Sequence, residues 1–523
     1  MRRLLAKWRL FDWLVTAILF ILAFLLTFDL FFSAGRPITY DGAIHITNIA
    51  NFSQALAHGQ FPVVWANDFA NFGLPTPLFV QQLPFYVGAA INFFTHDVVS
   101  SFNILCLLSL FLSAVFFYVF LLIYFPRPAA ALSSVLFMVA PYRLLNLYSR
   151  GAMPELFVSI FVPLAAIGFY FLIKKRKYIL GFALTSLSLM AMLLSHPMMS
   201  VIYIVLLAFY ALFLLIQVYL EATSWSKFWQ KEKLALLNLA VAGVTALCLA
   251  GYYLMPLVLE VKYLTQGQVV QYLRAESGLT FGQLWSSVWP YWQSGSDVGP
   301  RVHALHIGAL EGTLLIVGVL TILGWLIWRK KWRGQEKYFL ALFYVLLVAL
   351  ILLFLLSESS TWLFLKLPFL SQVQHHWRFL AAMLFLPPLV LALFMQIMTA
   401  HRWFFWVAVI LVFCNTSLVF SQAYGKNYLA YDQERYYFTR HNLHGNDLET
   451  VWSGGTGVLP AKTVQTEIVE GTGKLTFGAQ TDIKRELVVE ASESVRLVDY
   501  TYYFPGWTLI VNGQEQALEF QDP

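Results

Sequence analysis

"VVSSFNILCLLSLFLSAVFFYVFLLIYF", residues 98–125, contains no charged side chain. A helix that crosses the roughly 30 Å hydrocarbon core of a bilayer needs about 20 mostly apolar residues, so this stretch predicts a transmembrane helix. The whole chain has the same character, since 59% of its 523 residues are hydrophobic and only 12% are charged. Soluble globular domains carry about twice that charged share. The composition therefore excludes a soluble globular protein and predicts a polytopic α-helical membrane protein.

Ten further apolar runs flank this stretch. The first run follows basic residues, as a signal peptide does, but it is too long for one and no small-residue cleavage site follows it. We therefore expect the first span to be retained. Together the runs predict about eleven transmembrane helices, over residues 11–33, 98–125, 128–147, 155–173, 178–195, 198–219, 235–256, 304–328, 338–356, 379–399 and 403–421.

Basic clusters set the expected orientation. "MRRLLAKWR" at 1–9, "KKRK" at 174–177, "KFWQKEK" at 227–233 and "RKKWRGQEK" at 329–337 all fall on one side of the eleven-helix arrangement. Loops rich in Lys and Arg stay in the cytoplasm. We therefore predict a multi-pass protein of the cell (plasma) membrane, with a cytoplasmic amino terminus and an extracytoplasmic carboxyl terminus. The net charge of +6 then belongs mainly to the inner loops, and no nucleic-acid partner is expected.

The chain is expected to divide near residue 421. Residues 1–421 would form the transmembrane domain, with outer loops at 34–97, 257–303 and 357–378. Beyond it, the alternating patterns of "ELVVEA" and "VRLVDYTYYF" predict strands, and Asn512-Gly513 predicts a hairpin turn. Residues 422–523 are therefore predicted to form a small extracytoplasmic β-sandwich of about six to eight antiparallel strands.

Loop lengths predict that any chemistry faces outward. The inner loops are short and contain no glycine-rich phosphate cradle, so no nucleotide cofactor is expected. Nucleotide-activated substrates are made in the cytosol, so an outward enzyme that builds a bond would need an activated donor carried by the membrane. A sugar on a polyprenyl phosphate is such a donor. The expected partners are this donor, membrane lipids and an acceptor of the cell envelope.

The first outer loop has the pattern of a lid on the membrane. After Asp41, apolar residues recur at helical spacing from Ile44 to Leu56, which is typical of an amphipathic helix in the interface. A loop rich in Gly, Pro and Asn follows at 59–79. The next apolar stretch, "PFYVGAAINFF" at 84–94, is too short to cross a bilayer.

Three motifs carry a resemblance to a known family. These are the G-x-x-P-x-x-W pattern of Gly59, Pro62 and Trp65, "GLPTPLF" at 73–79, and "YRLLNLYSRGAMPE" at 142–155. With an outward Asp after the first span, they resemble the GT-C superfamily of integral-membrane glycosyltransferases. The likeness covers roughly residues 1–420 and is closest to the bacterial multi-pass family labelled 6-pyruvoyl-tetrahydropterin-synthase-related. It implies a GT-C-like fold and transfer of a sugar to a glycan, teichoic polymer, lipid or protein.

The resemblance implies that Asp41 is the catalytic aspartate of the first outer loop, with Asp68 an approximate match for a second acid. Asp41 has two interpretations, because a carboxylate at this place either takes a proton from an acceptor hydroxyl or caps the following helix. Many members carry paired acids where this chain has Asp41-Gly42, which weakens a metal-dependent mechanism. A divalent metal is not indicated, since the adjacent His375 and His376 lack a spaced third ligand.

Basic side chains near outward span ends are the candidates for binding the donor phosphate. Arginine matches phosphate through its planar fork, although a lone Arg at a helix end more often reaches toward lipid headgroups. "SRGAMPE" breaks the chain with Gly151 and Pro154 and predicts a structured acid–base corner between Arg150 and Glu155. "QVQHHWRF" at 372–379 resembles the family's last outer loop, which is expected to line the donor cavity. The candidates are Arg143, Arg150, Glu155, Arg301, His303, His375, His376 and Arg378.

Two other classes of function stay open. Asp29, His196 and Glu311 are polar residues within predicted spans, where polarity is costly and usually functional, which suits a transporter or flippase of lipid-linked sugars. The odd number of spans and the lack of a visible internal repeat disfavour that class. A non-catalytic envelope assembly scaffold that uses the carboxyl-terminal β region is the third interpretation.

Overall fold

The computed structural model describes most of the chain, and every structural statement below concerns the described residues. Three candidate residues of the sequence analysis, Asp68, Arg301 and His303, lie outside them. The described residues are 8–33, 36–37, 39–66, 72–222, 224–265, 278–285, 306–367, 370, 373–398, 402–422, 428–429, 448–452 and 464–520.

The protein is a polytopic membrane protein. Within the described ranges, nine helices are long and apolar enough to cross a bilayer, and a bent helix pair makes a tenth. The nine are Val98–Leu121, Met153–Ile173, Tyr178–Ser195, Pro197–Glu221, Trp225–Leu249, Ala309–Ile327, Glu336–Leu356, His376–Ile397 and Trp403–Phe420.

Each of the eleven predicted runs coincides with helical segments, and several of the runs are interrupted. The first run forms the helix Leu10–Leu26, followed by the short helix Phe28–Phe32. The run at 128–147 forms Arg127–Met138 and Pro141–Arg150, which are bent by 43° relative to each other. Pro141 explains the second break, because proline lacks the amide hydrogen that would continue the preceding helix.

The chain folds into two compact units that are each assembled from separated segments. The first unit contains Met1–Gly42, Asn103–Leu249 and Tyr272–Leu429, and the second contains Ala43–Phe102, Ala250–Gln271 and Ala430–Pro523. The first unit holds most of the long apolar helices. The second combines the helices of the first outer loop with the carboxyl-terminal strands.

A buried carboxylate fixes the first helix within the first unit. Asp12 is fully buried and accepts hydrogen bonds from Arg127 Nε at 2.8 Å and from Tyr118 Oη at 2.7 Å. The same carboxylate accepts the backbone amide of Arg9 at 2.7 Å. Three separate parts of the chain therefore meet at one side chain.

The first outer loop contributes two helices to the second unit, as the sequence predicts. Gly42–Ala57 spans the amphipathic pattern, and Leu83–Thr95 is the short apolar helix. They pack through Phe52, whose ring lies 5.6 Å from Phe85 and 5.0 Å from Tyr86. Further short helices are Thr76–Phe79, Gly251–Leu259, Phe281–Trp285 and Thr361–Lys366.

The carboxyl-terminal strands of the second unit pair antiparallel, which confirms a β region at this end. The described strands of this unit form three two-stranded sheets rather than two continuous layers, and a fourth pair, Arg36–Pro37 with Tyr428–Leu429, belongs to the first unit. The predicted hairpin is confirmed, because Asn512 and Gly513 both have positive φ between the two strands they connect. The pairs are Thr466–Glu470 with Arg496–Asp499, Gly473–Thr481 with Lys484–Ala491, and Leu509–Val511 with Gln514–Gln516.

Asp12→Ala is expected to lower the free energy of unfolding by about 3 kcal/mol, because it leaves the Arg127 guanidinium without its buried partner. Titration of the purified protein with SDS measures this change. Glu221→Ala is the matched control. It removes an ion pair with Lys174 at 2.8 Å whose carboxylate is 69% exposed, and it should cost less than about 1 kcal/mol. Equal losses in the two variants would contradict this assignment.

Candidate active site

The site begins at the bend of the broken span. Residues Leu145–Arg150 form a π-helix, a wider turn that is common at functional sites. Gly151 ends it with φ +65°, a conformation that side chains disfavour. The turn places Arg150 close to the beginning of Met153–Ile173, so that Arg150 and Glu155 face each other.

The Asp41 segment is attached to this turn through its backbone. Asp41 donates its amide hydrogen to the Arg150 carbonyl at 2.7 Å, and Tyr40 donates to the Ser149 carbonyl at 3.2 Å. The approach is close, since a Cβ added to Gly151 would lie 2.7 Å from the Gly42 nitrogen. The position of Asp41 therefore depends on a glycine at position 151.

Glu155 is the centre of the site, with only 2% of its side chain exposed. Arg150 binds it with both terminal nitrogens, from Nη1 to Oε2 at 2.6 Å and from Nη2 to Oε1 at 2.9 Å. Tyr142 Oη donates to Oε2 at 3.1 Å. The acid–base corner expected from the Gly151 and Pro154 break is present as a bidentate ion pair, the strongest form of this contact.

A second arginine approaches the same carboxylate from another span. Arg378 Nε lies 3.5 Å from Glu155 Oε1, and His196 Nε2 lies 3.9 Å from the same oxygen. Arg378 also donates from Nη1 to the Val373 carbonyl at 3.0 Å. Two guanidinium groups from different helices are thus held around one carboxylate.

Trp377 orients both arginines. The guanidinium carbon of Arg150 lies 4.6 Å from the centre of a Trp377 ring, and that of Arg378 lies 5.7 Å from it. His375 also stacks on Trp377, with the two ring centres 5.0 Å apart. Cation–π contacts of this kind restrain an arginine without consuming its hydrogen-bond donors.

Asp41 stands beside Arg150 without a direct hydrogen bond to it. Its Oδ2 lies 3.7 Å from Arg150 Nη2, and 40% of the Asp41 side chain is exposed. Desolvation at this position raises the pKa of the Asp41 carboxyl above its ordinary value, an effect that Arg150 opposes and Glu155 reinforces. The two groups therefore form a loose ion pair rather than a hydrogen-bonded one.

The capping interpretation of Asp41 finds no support in its contacts. Among the described residues, its carboxylate accepts no hydrogen bond from the backbone of the helix Gly42–Ala57. The Gly42 amide instead donates to Thr39 Oγ1 at 3.2 Å. Asp97 shows what a capping aspartate looks like in this chain, since its Oδ1 accepts the Val99 amide at 3.0 Å.

Arg143 and His376 are the remaining described candidates. Arg143 is 1% exposed and donates to Ser113 Oγ at 2.6 Å and to Ser159 Oγ at 3.3 Å, so its guanidinium is held between helices. His376 is buried and its ring lies 4.2 Å from Phe364. The site therefore unites Asp41, Arg150, Glu155, Arg378 and His375, and does not include Arg143 or His376.

A small cavity of the first unit adjoins the site at Tyr142. It is also lined by His306 and Glu311, which the sequence places about a turn or two apart. Burial lowers the pKa of His306 to about 4. In the part of the chain that the structure describes, no group of three or more His, Cys, Asp or Glu side chains is arranged to hold a metal ion.

Sequence reasoning did not group Tyr142, Asn146, His196 and Trp377 with the site. One signal in the sequence does point to two of them. Tyr142, Asn146 and Arg150 recur at intervals of four, the spacing that places side chains on one helix face. Asn146 Oδ1 accepts from Arg150 Nη1 at 2.8 Å. His196 and Trp377 come from other helices, and their meeting at Glu155 has no signal in local spacing.

Comparison with known structures identifies two transferases. The cryo-EM structure of arabinofuranosyltransferase AftD from mycobacteria aligns over 79% of this chain with 13% identity and a TM-score of 0.48. A substituted form of the same protein gives 13% identity and a TM-score of 0.46 over 78% of this chain. The crystal structure of the Archaeoglobus fulgidus oligosaccharyltransferase in the apo form gives 12% identity and a TM-score of 0.45 over 80% of this chain.

The chain is much shorter than these proteins. It spans 27% and 28% of the two arabinofuranosyltransferase chains and 56% of the oligosaccharyltransferase chain. No protein-family model and no curated protein matches the sequence. Similarity at this level establishes neither a family nor an activity, so the site is interpreted from its own geometry.

Gly151→Ala is expected to destabilise the protein by about 1–3 kcal/mol, because alanine is strained at this φ and its methyl group would collide with the Asp41 segment. The amide hydrogen of Asp41 should also exchange with solvent faster, since its bond to the Arg150 carbonyl is disturbed. Thermal unfolding and hydrogen exchange in detergent measure the two effects. Gly243→Ala, where the added methyl group meets open space, is the control and should show neither.

Proposed function

We propose that this protein is a GT-C type membrane glycosyltransferase. It would move a sugar from a polyprenyl-phosphate donor to a cell-envelope acceptor on the outer face of the membrane. The observation that supports this most is the position of Asp41, a half-exposed carboxylate of raised pKa that lies 3.7 Å from an arginine and does not cap its helix. The proposal also draws on the sequence resemblance of the first outer loop.

Asp41 suits the role of general base. In the proposed reaction, an acceptor hydroxyl oxygen forms a bond with the anomeric carbon of the donor sugar, and the bond from that carbon to the phosphate oxygen breaks. The hydroxyl proton passes to the Asp41 carboxylate, which later releases it to water. A raised pKa makes Asp41 a stronger base than an ordinary aspartate, which favours this transfer.

Arg150 and Arg378 suit the departing phosphate. A sugar-linked phosphate carries one negative charge, and it gains a second when the sugar leaves. Two arginines within reach of one carboxylate could stabilise this new charge, because their guanidinium groups are already fixed and partly desolvated. Glu155 acts as a positioning residue here, since it holds both arginines before the donor arrives.

The order of the helices agrees with an outward site. Successive spans alternate in direction, so the ends that carry Asp41, Arg150, His196 and His376 would share one side of the membrane. The basic stretch at 174–177 follows the opposite end of the span Met153–Ile173. If that stretch is cytoplasmic, as the positive-inside rule predicts, the site faces outward.

Transfer itself separates the proposed enzyme from a transporter. Protein purified in detergent is given a radiolabelled polyprenyl-phosphate sugar and envelope acceptor material. The expected result is label in the acceptor, although no second membrane-enclosed compartment is present. A set of donors that carry different sugars is tested in this way. If every envelope fraction stays unlabelled while vesicles containing the protein move lipid-linked sugar across their membrane, the transporter interpretation replaces the enzyme.

Asp41→Asn is expected to reduce transfer by at least about a hundredfold, because the amide cannot accept the hydroxyl proton. The melting temperature should stay unchanged, since the carboxylate makes no capping bond. Asp97→Asn is the matched control. Asp97 also lies outside the spans, directly before the helix Val98–Leu121, and its variant should keep full transfer. A fully active Asp41→Asn variant would refute the assignment of the base.

The pH profile of transfer tests Asp41 in a second way. The rate should fall on the acid side as Asp41 becomes protonated, with the midpoint above the ordinary aspartate value of 3.8. Arg378 is among the cations that lower the pKa of Asp41, so Arg378→Gln should move this midpoint to higher pH as well as slow the reaction. Lys366→Gln, at an exposed cation of the same outer region, should leave the midpoint where it is. A midpoint that moves to lower pH in Arg378→Gln would contradict the role of Asp41.

A further inference from the structure

The second unit contains a cleft that the proposed reaction does not use. Its volume is about 470 Å³, within the range of roughly 300–1,000 Å³ typical of sites for small ligands. It lies where the hairpin of Gly473–Thr481 and Lys484–Ala491 meets the residue that follows the helix Gly42–Ala57. The lining side chains are His58, Val464, Gln465, Phe477, Gln480, Thr481, Asp482 and Arg485.

The polar wall of the cleft is built around a buried carboxylate. Asp482 has 3% of its side chain exposed, and its Oδ2 lies 3.0 Å from His58 Nδ1. His58 is 44% exposed, so its ring connects the buried acid to the solvent. An aspartate that fixes a histidine in this way sets the ring orientation and the tautomer that a ligand would meet.

Arg485 supplies the second fixed polar group. Its Nη1 donates to Asp499 and to Thr501, which hold the side chain along the cleft. Gln480 is anchored in a similar way, because its amide nitrogen donates to the Glu486 carbonyl at 2.8 Å. The wall therefore presents donors and acceptors whose positions are set by the protein before a ligand binds.

The apolar wall is an aromatic ring. Phe477 is 48% exposed, and it lies opposite Leu487 on the neighbouring strand of the hairpin. Neighbouring Thr476 pairs with Val488, and adjacent positions of a strand face opposite sides, so Val488 lies on the other face of the same hairpin. An exposed phenyl ring next to fixed polar groups is a surface for a ligand with one apolar and one polar edge.

The charges of the cleft compensate one another. Arg485 is paired with Asp499, and the buried Asp482 is balanced at most by the partly exposed His58. A site for phosphate or another anion would need an excess of positive charge, which is missing among these residues. A lipid chain would need a wall without fixed polar groups, whereas six of the eight lining side chains are polar.

We propose that this cleft binds an uncharged saccharide unit of a glycan chain. The ring of Phe477 would lie against the C–H face of the sugar, while Asp482, Arg485 and His58 exchange hydrogen bonds with its hydroxyl groups. The second unit would then hold an envelope glycan independently of the Asp41 site. This binding needs no donor and does not depend on the proposed transfer reaction.

A glycan-binding experiment on the full chain tests the proposal. The protein is purified in a detergent without a sugar headgroup and applied to an array of immobilised neutral and acidic oligosaccharides. The best neutral oligosaccharide is then titrated by calorimetry. Phe477→Ala and Asp482→Asn should each weaken binding at least tenfold, whereas Val488→Ala on the opposite face of the hairpin should bind like the unaltered protein. Phe477→Trp, which keeps an aromatic face, should retain binding.

Three outcomes would contradict glycan binding at this cleft. Lack of binding to any neutral glycan, preference for acidic glycans alone, or unchanged affinity in Phe477→Ala would overturn it. Melting temperatures of the variants identify a substitution that merely unfolds the protein. If Asp482→Asn unfolds it, the comparison of Phe477→Ala with Phe477→Trp tests the site instead. Asp41→Asn should bind the glycan normally, so a failure of the proposed transfer reaction and a failure of this site are distinguishable.

Discussion

The pairing of Glu155 with two arginines is the interaction on which the site depends. Arg150 and Arg378 come from different helices, and burying a guanidinium group is costly unless a partner compensates its charge. Glu155 pairs with both, at 2.6 Å and 3.5 Å, and this contact joins the bend of the broken span to the beginning of His376–Ile397. The position of Asp41 follows, because its backbone is bonded to the residue that Glu155 holds.

The two carboxylates have environments that suit different tasks. Glu155 is buried and surrounded by donors, including Tyr142 and both arginines, so it is committed to holding them in place. Asp41 is partly exposed, has a raised pKa, and lies beside Arg150 without a direct hydrogen bond. One acid is therefore suited to organising charge and the other to exchanging a proton, a division that active sites often use.

Hydropathy predicted the transmembrane helices well, because long apolar runs have few alternatives in a membrane. The Arg150–Glu155 corner was also predictable, since Gly151 and Pro154 mark a sharp break between residues close in sequence. Arg143 shows what such reasoning leaves out. Its place near a span end suggested a phosphate ligand, but Ser113 and Ser159 of neighbouring helices hold it in the interior. Pairings between distant helices or strands, such as Thr466–Glu470 with Arg496–Asp499, leave no local pattern to read.

The most direct test of the central claim is a cryo-EM map of the protein in a lipid nanodisc with a polyprenyl phosphate. We expect phosphate density within hydrogen-bonding distance of the guanidinium group of Arg150 or Arg378, at the end of the helices where Asp41 lies. Phosphate density bound elsewhere, with the Arg150, Glu155 and Arg378 cluster closed against the lipid, would contradict the account.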